Sequence, residues 1–111
     1  MRQLVLSKND FDDDNKYNGN EDLSAFDGSI RISAKLGRVV FDSLKASLGI
    51  TVEAGTWVKS VRSIEAGEGI EAEGGIEAEE GIEAGLGIEA RLGIKAGLGI
   101  EAGWGIEAGS L

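Results

Sequence analysis

The 111-residue chain contains no cysteine, no histidine and no proline. Without cysteine there is no disulfide framework and no thiol nucleophile. Without histidine there is no Ser-His-Asp triad, no Cys-His pair and no His-ligated zinc site. The lack of thiols fits a reducing compartment. No stretch approaches the roughly 20 apolar residues of a membrane-spanning helix, and no apolar signal-peptide core follows Met1. These absences lead to the expectation of a cytoplasmic protein without a membrane partner.

What is present is unevenly spread. The net charge is −9. Residues 1–27 carry three Lys/Arg and seven Asp/Glu, residues 28–63 carry six and two, and residues 64–111 carry two and eleven. The local balances are therefore −4, +4 and −9. A basic middle followed by an acidic end suggests attraction between copies, or an acidic surface aimed at a basic partner.

The acidic end is a repeat. Ile64, Ile70, Ile76, Ile82, Ile88, Ile94, Ile100 and Ile106 recur every six residues, and each is followed two residues later by alanine. A period of six does not match the 3.6 of a helix, and glycine-rich sequence disfavours one. Alternation does match: Ile and Ala fall on one side of a strand, and Glu falls on the other. Earlier residues keep this parity, from Ile30 and Ile32 through Val40, Leu44, Ile50, Val52 and Val58. So do Leu86, Leu92, Leu98 and Trp104. Constant parity over about 80 residues predicts a coil with equal turns, a β-solenoid.

Three hexads make one 18-residue lap of a triangle. Three interior columns are then expected: Val40-Val58-Ile76-Ile94, Ala46-Ile64-Ile82-Ile100 and Val52-Ile70-Ile88-Ile106. The fold class is all-β, a triangular solenoid over residues 28–111 with near-perfect repeats in 63–111. Residues 1–27 form an irregular N-terminal cap bearing an acidic loop. The segment "QLVLS" alternates like a strand, and Leu4, Leu6 and Phe11 are available to cover the first coil.

This periodicity resembles two solenoid families. One is the hexapeptide-repeat fold of acyltransferases and γ-type carbonic anhydrases. The other is bactofilin, a bacterial cytoskeletal β-helix that polymerises. In the hexapeptide family a small residue sits two positions before the aliphatic one. Here that slot holds Glu68, Gly74, Glu80, Leu86, Leu92, Leu98 and Trp104.

Four apolar residues break the parity. Val39, Phe41, Trp57 and Val61 are expected to point outward as an exposed patch, either covered by the N-terminal segment or open to a partner. The last coils are greasy at Leu86, Leu92, Leu98, Trp104 and Leu111. Self-association is expected there, giving a homodimer through the C-terminal coil. Arg62 and Glu80 are spaced to pair across adjacent coils, and Glu68 is expected at a corner open to water.

The outward glutamates Glu65, Glu71, Glu83, Glu89, Glu101 and Glu107 are the candidate partner-binding face. Stacked strands lie about 4.8 Å apart, so the columns Glu65-Glu83-Glu101 and Glu71-Glu89-Glu107 would concentrate negative charge. Lys95, beside Glu77, relieves a third column. Such a face is either a solubility device or an imitation of nucleic-acid phosphates. A pair of carboxylates is also the minimum for glycosidic cleavage, but nothing distinguishes two of these from the rest. The expected function is therefore non-enzymatic, with no cofactor and no direct nucleic-acid binding. An acidic binding protein would occupy a partner's basic surface and block a DNA- or RNA-binding protein; in size and charge the chain resembles small phage-encoded anti-CRISPR inhibitors. A self-assembling structural protein is the alternative.

"DFDDDNKYNGNE" resembles an EF-hand calcium loop. Asp10, Asp12, Asp14, Asn18 and Glu21 occupy the ligand positions, and Asn15 stands where that loop has glycine. The competing reading, favoured here, is an acidic surface turn without metal.

Overall fold

The structure is a computed structural model that describes residues 2–108. Its regular elements are short strands: β1 (Gln3–Leu6), β2 (Ser29–Ile32), β3 (Gly37–Phe41), β4 (Leu44–Ala46), β5 (Ile50–Val52), β6 (Thr56–Ser60), β7 (Ile64–Ala66), β8 (Ile70–Ala72), β9 (Gly75–Ala78), β10 (Gly81–Ala84), β11 (Gly87–Ala90), β12 (Gly93–Ala96), β13 (Gly99–Ala102) and β14 (Gly105–Ala108). A short 3₁₀ turn spans Lys8–Asp10.

Every third strand stacks in parallel, so the chain winds around three sides. Side 1 runs β1-β2-β5-β8-β11-β14, side 2 runs β3-β6-β9-β12, and side 3 runs β4-β7-β10-β13. This is the expected β-solenoid. In the regular coils the lap is 18 residues, as in Ile64↔Ile82↔Ile100 and Ile70↔Ile88↔Ile106. The interior is a stack of isoleucines over alanines. Ile64, Ile70, Ile76, Ile82 and Ile88 are all buried, as are Ala66, Ala72, Ala78, Ala84 and Ala90. The small alanine at the end of each side lets three bulky residues meet at the centre of every lap.

The early coils depart from the 18-residue lap. Leu44 stacks on Ile64, Ile30 on Ile50 and Ile50 on Ile70, each 20 residues away, while Val39 stacks on Val58, 19 away. The columns therefore begin Val39, Leu44 and Ile30-Ile50, rather than Val40, Ala46 and Val52. The cause is a wider side 2: β3 and β6 have five residues each. Thr56, Val58 and Ser60 all point inward from β6. The two polar ones are satisfied at the adjoining corners. The Thr56 hydroxyl donates to the Ser33 carbonyl, and that of Ser60 donates to the Asp42 and Ser63 carbonyls.

Parity also flips and then flips back. From Ile32 the chain needs seven residues to reach Val39, by way of Lys35 at φ 62° and Gly37 at φ 76°. From Phe41 it needs only three to reach Leu44. Val39 and Phe41 are consequently buried core residues, not members of an exposed patch. Trp57 and Val61 do lie outside the core. Trp57 stacks beside Arg38 in register, not beside Val39, and Val61 is exposed.

Residues 2–27 add neighbours to all three sides of the first coil. β1 pairs with β2, with Leu4 on Ile30 and Leu6 on Ile32. Lys16 bridges Val40 on side 2, and Phe26 bridges Ala46 on side 3. Leu6, Phe11, Leu23 and Phe26 are buried over the coil. Phe11 meets Phe41 edge-on at 5.6 Å between ring centroids, and Tyr17 lies 5.7 Å from Phe41. This aromatic group closes the N-terminal end of the hydrophobic column.

Candidate functional site: the carboxylate rows

Within each regular hexad the strand GIEA sends its single glutamate outward, because alternation is enforced by the buried Ile and Ala on either side. Parallel in-register stacking then aligns these glutamates. On side 3 the outward row is Lys45-Glu65-Glu83-Glu101. On side 1 it is Thr51-Glu71-Glu89-Glu107. On side 2 it is Lys59-Glu77-Lys95, of mixed sign. Thus the three sides differ although their sequences are nearly the same: two are acidic, and one is of mixed sign with more cations than anions.

Like charges one strand apart repel by about 1 kcal/mol in water. Lys45 relieves one end of the side 3 row, pairing with Glu65 at 3.2 Å. That corrects the expectation that this row has no relief. Arg38 reaches past Trp57 to Glu77 at 2.9 Å on side 2, Arg31 pairs with Glu53 at 2.8 Å and Arg91 with Glu73 at 3.0 Å. Among the described residues, Glu71, Glu83, Glu89, Glu101 and Glu107 form no ion pair, and neither do Arg62 and Glu80. These last two occupy the same corner in adjacent coils, the Glu80 amide donating to the Arg62 carbonyl.

The corners carry the apolar residues. At each regular corner the residue two after alanine turns out, although its number is even. Leu86, Leu92, Leu98 and Trp104 are therefore exposed at the edges of the prism, which corrects their expected inward direction. Leu98 and Trp104 are more than four-fifths exposed. The corner between sides 3 and 1 stacks Leu48, Glu68, Leu86 and Trp104 by successive amide-to-carbonyl bonds. Glu68 is exposed there, as expected, and its neighbour below is Leu48. So the two acidic rows flank one ridge that ends in Leu86 and Trp104. Leu111 lies outside the described residues.

Beside the side 3 row runs a groove of about 1060 Å³, walled by Glu65, Glu83 and Glu101 and floored by alanines and by Gly67, Gly85 and Gly103. Sequence reading missed this groove. Its signal is that glycine follows alanine in three successive laps on side 3, whereas on side 1 Glu73 follows Ala72 and Arg91 follows Ala90. A Cβ on Gly67, Gly85 or Gly103 would run into the carbonyl oxygen one coil below.

The N-terminal acidic loop is a tight turn. Phe11 and Tyr17 form an antiparallel bridge, and Asn15 takes a left-handed φ of 60°. The Asp12 carboxylate accepts the amides of Asp14 and Lys16 at 2.9 and 3.0 Å, Asp10 accepts the Ser7 amide, and Glu21 pairs with Arg2 at 2.6 Å. Asp10, Asp12 and Glu21 are each engaged locally. No cluster of three or more potential metal ligands occurs among the described residues.

No protein-family model matches the chain, and no curated protein or solved structure is significantly similar to it. No helix among the described residues is long and apolar enough to cross a membrane.

Proposed function

We propose that this chain is a non-catalytic binding protein whose two carboxylate rows occupy the basic surface of a protein partner, as a nucleic acid would. The supporting observation is the register: Glu65-Glu83-Glu101 and Glu71-Glu89-Glu107 stand in straight parallel files on adjacent sides. Evenly spaced charge on a stiff scaffold suits a groove that evolved to follow a phosphate backbone. The ridge of Leu86 and Trp104 between the files adds apolar contact area where a duplex or single strand would offer bases. An inhibitor of a DNA- or RNA-binding protein, comparable in kind to an anti-CRISPR, is the concrete form of this reading.

The test is a pull-down from lysate with the chain and with a Glu83→Lys/Glu89→Lys/Glu101→Lys variant. Partners retained by the parent should be nucleic-acid-binding proteins, released by added DNA or RNA and by raised salt. Retention of the same partners by the reversed variant would refute the reading.

A second reading, bactofilin-like assembly, is favoured by the charge difference between sides. Side 2 carries Arg38, Lys59 and Lys95, whereas sides 1 and 3 are acidic. Sedimentation over a concentration series separates growing filaments from closed species.

A further inference from the structure

The two ends of the column differ. The N-terminal end is covered by β1, Phe11 and Phe26. At the other end β12, β13 and β14 each bond a neighbour on one edge only, among the described residues. Their interior residues are correspondingly open: Ile94 and Ile100 are half-buried, and Ile106 is 45% exposed. Open edges of this kind pair with other strands.

We propose that the occupant of this end is a second copy of the same chain, joined by a twofold axis through Glu101. β13 is the middle one of the three open strands. Only a twofold through β13 gives every open strand a partner: β13 pairs with its own copy, and β12 pairs with β14 of the second copy. A twofold perpendicular to the solenoid axis reverses the direction of winding, so all three pairs are antiparallel. It also keeps inward faces inward.

Three independent features agree with that register. First, each isoleucine meets an alanine: Ile100 opposes Ala102, Ile94 opposes Ala108, and Ile106 opposes Ala96 of the second copy. Large against small across the junction continues the interior packing. Second, Lys95 opposes Glu107 of the second copy, twice, placing unlike charges in direct register. Third, Leu98 at one corner opposes Trp104 of the second copy, again twice. These are the two most exposed large apolar residues of the described chain, at 82% and 81%. The opposing cost is Glu101 facing Glu101 on the axis. A twofold assembly is closed, so growth stops at two.

This inference does not depend on the acidic rows finding a partner, yet it extends them. The side 3 file would run unbroken through the axis as Glu65-Glu83-Glu101 and then the same three in reverse.

The natural absence of cysteine makes the test specific. Directly opposed residues of an antiparallel pair have Cα atoms about 4.5–5.5 Å apart, within the roughly 4.4–6.8 Å of a disulfide. Under diamide oxidation Glu101→Cys should cross-link into a covalent dimer, and Glu71→Cys, two coils away, should not. In sedimentation equilibrium the parent should associate to a dimer and no further. Lys95→Glu should weaken that dimer at least tenfold, and Lys95→Glu with Glu107→Lys should restore it. A monomer at all concentrations, growth beyond two, absence of the cross-link in the Glu101→Cys variant, or failure of the charge swap to restore the dimer would each overturn the proposal.

Discussion

The indole of Trp57 lies flat against Gly75, one coil further on, and occupies the space that a side chain there would fill. Trp57 is half-buried and Gly75 is buried beneath it. Every other stacked pair on the outside of side 2 involves a charged residue or two glycines, so this is the one place on that side where an outward apolar group is covered by backbone. Gly75→Val should therefore expel the ring. In a Trp104→Phe background, Trp57 emission should shift to the red, and stability should fall by about 1–3 kcal/mol, as for overpacking elsewhere. Unchanged emission would mean that the ring and the glycine are not in contact.

The glycine column at the corner of side 3 gives a sharper contrast. A Cβ on Gly85 meets the carbonyl oxygen of Gly67, and that backbone is fixed by the stack. A Cβ on Gly81 meets nothing closer than the Gly99 oxygen at 3.4 Å. Gly85→Ala should cost about 1–3 kcal/mol. Gly81→Ala should be neutral or stabilising by up to about 1 kcal/mol, because it restricts the unfolded chain. Urea unfolding of the two variants checks the difference, and equal midpoints would contradict the corner geometry.

Tyr17 provides a pH probe, since it is the sole tyrosine. Burial pushes its phenol above the ordinary value, partly offset by its hydrogen bond to Glu21, while the charges of Asp10 and Glu21 add to the rise. The neutral phenol is the form that the fold favours. Its contribution to stability is thus complete below the unfolded value near 10 and is lost as pH rises through that value toward the folded one. Absorbance at 295 nm should give a titration midpoint above that of free tyrosine. Stability between about pH 9 and 12 should decline more steeply for the parent than for Tyr17→Phe. Parallel declines would show that the phenol carries no such linkage.

Much of this architecture was legible because buried alternation leaves a periodic trace. From Ile64 onward each hexad contributes one inward Ile, one outward charged residue and one inward Ala, and the structure keeps all three. Two things were not legible. Parity holds along a strand but not around a corner, so Leu86, Leu92, Leu98 and Trp104 turn out despite sharing parity with the isoleucines. And corner lengths carry no strong sequence mark. The seven residues from Ile32 to Val39 and the three from Phe41 to Leu44 cancel each other, which buries Val39 and Phe41 while leaving the later register intact. The acidic files were predictable because they depend only on the regular laps. The groove beside them depends on which side a glycine falls, and that requires the lap length to be known first.

The uniform four-residue step from each alanine to the next isoleucine makes the regular laps interchangeable. Excising residues 70–87 would join Gly69 to Ile88, which stands where Ile70 stood. Both ends of the molecule would be unchanged. The length of the regular region therefore changes in steps of one whole turn if its register is to be kept. Each turn subtracts or adds one carboxylate per acidic file, so gain or loss of one lap would lengthen or shorten both files together while leaving the cap and the open end as they are.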